Sequence, residues 1–84
     1  MCTNIATKTR IAGSAKTASG WTTVDEAYVG FDHATHAWVD HAVRIDFSGA
    51  GDGVAVELDL ASGKALLARL AEVIDAAERS GVAD

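Results

Sequence analysis

The sequence predicts an α+β fold: a four-stranded antiparallel β-meander with one C-terminal α-helix packed on one face, forming a single domain over residues 1–84. Three observations predict it. Four stretches alternate apolar and polar residues with the period of a strand. The last twenty or so residues switch to the period of a helix. The segments between the strands are short, which favours neighbouring antiparallel strands.

Residues 3–12 read as the first strand, with Ile5, Thr7, Thr9 and Ile11 on one face and Asn4, Lys8 and Arg10 on the other. Residues 13–20, small and bounded by glycines, read as a turn region. Glycines at both ends with Lys16 between are features of phosphate-binding loops. Such a loop needs Gly-Lys-Ser/Thr directly before a helix, whereas Trp21 and a strand come next here. Residues 21–32 form the second strand. Ala27, Val29 and Phe31 share a face, while Val24 and Tyr28 fall on the other, the pattern of a bulge or of a strand covered on both sides. Trp21 reads as core or hairpin packing. Residues 41–47 alternate most cleanly, with His41, Val43, Ile45 and Phe47 pointing one way and Ala42, Arg44 and Asp46 the other. After the glycine-rich turn 48–53, residues 54–60 form the fourth strand. Pairing Phe47 with Val54 also pairs Ile45 with Val56, Val43 with Leu58 and, on the outer face, Arg44 with Glu57. A one-residue slip would turn the core residues outward. The helix spans 61–79. Leu66, Leu70, Val73, Ile74 and Ala77 make its apolar stripe, with Asp59 or Ser62 to cap its start and Gly81 to end it.

Composition narrows the function classes. The chain is 49% hydrophobic and 23% charged, an ordinary globular balance. A net charge of −5 argues against nucleic acid and against an anionic membrane surface. One cysteine excludes an intrachain disulfide. No apolar run reaches membrane-spanning length and no signal pattern opens the chain, so a cytoplasmic protein is expected.

The stretch 31–41 holds all three histidines, two aspartates and Trp38. Pairing Val29 with Ile45 carries Phe31 onto Val43 and His33 onto His41. Directly opposed Cβ atoms lie about 4.5–5.5 Å apart, close enough for two imidazoles to share one ion. His36 comes three residues after His33 and can fold back over the pair, and the first hairpin brings Cys2 to the same end of the sheet. The expected metal ligands are therefore His33, His36 and His41, with Cys2 or a carboxylate as a fourth, around zinc or iron. Asp32 and Asp40 would orient the rings. Ser62 and Lys64 at the helix start would hold a small anionic ligand, with Trp38 either a lid over that pocket or a contact for a partner subunit. The functional expectation is a small metal-binding protein, extending to a metal-dependent enzyme acting on a small anionic molecule. Metal-free chemistry stands beside it, with His41 as a general base or Cys2 and His33 as a nucleophile pair. The alternative is a homo-oligomeric module, a dimer, in which the histidines are incidental. Its interface would be the sheet face opposite the helix, where Ala6, Val24, Tyr28, Ala42 and Ala55 interrupt charged residues.

Met1–Cys2–Thr3, the Gly13–Ser14–Ala15–Lys16 turn with Gly20–Trp21, Asp32–His33–x–x–His36, His41–x–x–x–Ile45–Asp46–Phe47 and Val56–Glu57–Leu58–Asp59 together resemble a family of small actinobacterial proteins, a domain of unknown function. The resemblance runs over nearly the whole chain. It implies a stand-alone bacterial protein and lends no substrate, cofactor or site residue.

Overall fold

A computed structural model describes residues 5–82. Four strands, β1 (Ile5–Thr17), β2 (Gly20–His33), β3 (His41–Gly49) and β4 (Val54–Leu58), form one antiparallel sheet in the order β1-β2-β3-β4. The helix α1 (Leu60–Ser80) comes directly after. Cys2 and the first two residues of the expected first strand lie outside the described residues.

The registers are those that the alternation requires. Phe47 pairs with Val54, Ile45 with Val56, Val43 with Leu58 and Arg44 with Glu57. Ala27 pairs with Phe47, Val29 with Ile45, Phe31 with Val43 and His33 with His41. Both hydrophobic sets thus share one face, because any slip would expose them.

The first hairpin is longer than expected. Residues 13–17 are not a turn region but strand, paired with residues 20–24, and only Ala18 and Ser19 make the turn. Thr17 Oγ1 donates to the Gly20 carbonyl at 3.0 Å and accepts from the Ser19 amide at 3.2 Å. Gly20 adopts φ 119°, a conformation open to glycine. The small residues that suggest a loop fit a strand because the pairing shifts by one residue between Arg10 and Gly13, a β-bulge. A second shift, between Val24 and Glu26, accounts for the broken alternation of β2. Trp21 is exposed rather than packed.

The fourth strand stops at Leu58, because Asp59 turns the chain and caps α1 by accepting from the Ser62 amide at 2.7 Å. Gly81 closes the helix at φ 74°, its amide donating to the Glu78 carbonyl.

The helix begins close to the sheet: a Cβ at Gly63 would lie 3.2 Å from a Val43 methyl. It does not settle there. No α1 residue is buried, and Leu66, Leu67, Leu70, Val73 and Ile74 are all exposed. Burial is concentrated within the sheet, at Val24, Ala27 and Ala42. No helix of the described residues is long and apolar enough to cross a membrane.

The face away from the helix differs from expectation as well. Ala42, only 2% exposed, is buried and cannot form part of an open patch there, and the bulge sets Val24 opposite Gly49, in the row of Phe47 on the other face. Tyr28 lies over Gly30, where an added Cβ would meet its ring carbons at 2.8 and 2.9 Å. The bare backbone of Gly30 is thereby covered by its neighbour's ring.

Candidate functional site

The loop from Ala34 to Asp40 joins the two central strands, and a carboxylate from β4 decides its course. Glu57 shares a face with Arg44 and Ala55, the face away from the helix. Its oxygens accept from three successive backbone amides: Thr35 at 2.9 Å, His36 at 2.7 Å and Ala37 at 3.0 Å. The Thr35 hydroxyl adds a fourth bond at 2.9 Å. Successive amides aimed at one point make a concave anion site, here filled by the protein's own side chain. These amide bonds hold the Glu57 carboxyl at about 2, well below its ordinary 4.5. Its side chain is only 9% exposed, and Arg44 Nη1 approaches at 3.5 Å. Arg44 also pairs with Asp46 at 3.0 Å.

This latch draws the loop onto the face opposite the helix. There His36, Ala37, Trp38, Arg44, Ala55 and Glu57 line an open pocket of about 560 Å³. Trp38, 82% exposed, stands on its wall. His36 Nδ1 lies 2.9 Å from the Thr35 hydroxyl.

His33 and His41 lie on the other face, in the row of Phe31 and Val43. Their ring centroids are 4.5 Å apart, and the His41 ring also stacks on Phe31 at 5.6 Å. The cross-strand pairing therefore brings two of the three histidines together, while the Glu57 latch takes the third to the opposite face. Among the described residues, no three His, Cys, Asp or Glu side chains are grouped to hold a metal ion. Asp32 Oδ1 accepts from the His33 backbone amide at 2.7 Å, and the Asp40 carbonyl accepts from the Ala34 amide at 3.0 Å, closing the loop.

The residues expected around an anionic ligand are divided in the same way. Lys64 lines a cleft between α1 and the sheet, and Ser62 sits in the first helical turn, its amide given to Asp59. Trp38 is on the far side, in the pocket with Glu57. Glu57 itself is legible in the sequence only as the cross-strand partner of Arg44. Its second role needs the position of a loop twenty residues upstream.

The fold and this loop define a class, a small ββββα domain whose central hairpin loop is pinned by a carboxylate from the edge strand. The chain belongs to a family of unknown function, DUF6295, whose model matches residues 1–83. No curated protein and no solved structure is a match to it.

Proposed function

We propose that this protein is a homo-oligomeric binding or structural module, a dimer, that works in the cytoplasm. One observation carries the reading: α1 has no buried residue although its apolar residues recur at helical spacing. Such a stripe is driven out of water by about 25 cal/mol per Å² of apolar surface covered. An 84-residue chain has little core of its own and gains most from a partner. Sedimentation equilibrium at micromolar concentration tests it. A dimer is expected, and a monomer rejects the reading.

The His33–His41 pair supports a second reading, a small metal-binding protein extending to a metal-dependent enzyme acting on a small anionic molecule. Two imidazoles with centroids 4.5 Å apart can ligate one zinc or iron ion from adjacent strands. His36 lies on the other face, so further ligands would come from water, from Cys2 or from another molecule. Elemental analysis of tag-free protein is expected to find close to one ion per chain. Substituting His41→Ala should abolish any metal-induced rise in melting temperature, while His36→Ala should leave it nearly intact. Protein with no metal and no thermal response to added zinc or iron rejects this reading.

A further inference from the structure

Two surfaces of this chain are apolar, open and continuous with each other. A cleft of about 380 Å³ runs between the first turns of α1 and the sheet, with Val29, Val43, Ile45, Leu66 and Leu70 on its walls. Beside it lies an apolar hollow of about 410 Å³, bounded by Ile5 and Phe31 and sharing Val29 and Val43. Beyond Leu70 the stripe continues along the helix to Val73 and Ile74, which are 64% and 51% exposed.

Resting on the oligomeric reading above, we infer that two copies of this chain join through these helix-bearing faces. Each copy's α1 stripe and the sheet beneath it are covered by the other copy.

The exposed area is consistent with an occupant of that size. A compact monomer of 8.7 kDa exposes about 4,700 Å². This chain exposes 6435 Å². The excess, roughly 1,700 Å², exceeds the ~800 Å² that each partner contributes to a standard interface and falls in the range of obligate dimers. The radius of gyration agrees. It is 14.6 Å, against about 12 Å for a compact domain of this length.

The shape selects a second copy over a small ligand. From Leu66 to Ala77 the stripe extends about 17 Å along the helix. A molecule that filled the cleft would leave Val73 and Ile74 in water. Residues 66, 70, 73 and 77, with 67 and 74 alongside, alternate steps of three and four, the spacing that interlocks with another helix.

The remaining surfaces are less suited. β1, one edge of the sheet, carries Lys8 and Arg10 and a bulge, features that discourage edge-to-edge pairing. β4, the other edge, has five residues and gives way at once to α1. On the face opposite the helix, Ala42 is buried, Tyr28 covers Gly30, and Arg44 is paired to two carboxylates. A twofold arrangement lets this open apolar surface meet its own copy.

The test uses the full chain. Leu70→Glu and Ile74→Glu should each turn a micromolar dimer into a monomer in sedimentation equilibrium, by placing carboxylates in the apolar interface. Tyr28→Glu and Trp38→Glu, on the opposite face, should leave it dimeric. Because an interface variant can also fail to fold, a second measurement needs no substitution. Labelled and unlabelled chains are refolded together, and isotope-filtered NMR reads contacts between copies. Contacts from the methyls of Leu67, Leu70, Val73 and Ile74 are expected. A dimer whose contacts between copies come instead from Tyr28 or Trp38 overturns the inference and leaves the oligomeric reading standing. A wild-type monomer overturns both.

Discussion

Glu57 illustrates how one side chain can redirect a site. Its carboxylate satisfies the amides of Thr35, His36 and Ala37 together. Replacing it with alanine leaves three donors without their acceptor, so these amides should exchange with solvent faster in Glu57→Ala while the β3–β4 ladder keeps its protection. The pH dependence has a definite sign. The folded carboxyl sits at about 2, below its ordinary 4.5, so its contribution is complete above pH 4.5 and is lost as the pH falls toward 2. Amide exchange in the loop should therefore report a transition within that acid window. Glu57→Gln, which does not titrate there, should lack it. Loop protection that is the same in both proteins across the window would show that the latch does not hold the loop.

At the scale of elements, the bulges set how the long β1–β2 hairpin meets β3. Near the second bulge the backbones approach so closely that a Cβ on Gly49 would lie 2.9 Å from the Thr23 carbonyl carbon and from Val24 Cα. Backbone cannot swing aside as a flexible side chain can. Gly49→Ala should therefore destabilise the fold by about 1–3 kcal/mol, the usual cost of overpacking. Gly51→Ala, whose nearest neighbour is the Thr22 side chain, should cost less. Thermal melts of the two variants compare them directly, and equal melting temperatures would refute the close approach. The helix shows the complementary case, of an element well specified locally and poorly packed. Asp59 and Gly81 terminate it, and Arg69–Glu72 and Asp75–Arg79 pairs brace its wet side. Exposed pairs of this kind add only a few tenths of a kcal/mol. If copies join through α1, helicity by circular dichroism should fall together with dimer population on dilution, because an isolated helical half of this length is marginal in water.

At the scale of the whole molecule, the imbalance between pattern and burial is the main feature. The alternation of β3 and β4 and the stripe of α1 are those of a chain built to bury two apolar layers against each other. The described structure brings only the start of α1 near the sheet, and a solvent-open cleft separates the next turns of the helix from it. A chain of this size cannot bury as large a fraction of its surface as a longer one. In the dimer proposed above, a second copy would supply the missing layer without lengthening the sequence.

The strand order, the β2–β3 and β3–β4 registers and the Gly81 end of the helix were determined by the sequence itself, which left the start of the helix to Asp59 or Ser62. Each depends on neighbours in the chain or on a face-by-face alternation that allows a single alignment. The His33–His41 pair is legible for the same reason, since it is the next step of a ladder already in register. Tertiary structure alone decided the rest. The stretch 13–20 reads as a turn because its glycines and small residues have the composition of a loop, yet residues 13–17 and Gly20 are strand and only Ala18 and Ser19 turn. Spacing places His36 within reach of His33 but not on a face, because a loop has no period and its path depends on Glu57. The stripe of α1 is evident from its spacing, whereas its distance from the sheet depends on the one turn at Asp59 that sends the helix away. Periodic interactions are written along the chain; those between a loop and a distant side chain exist only after the chain has folded.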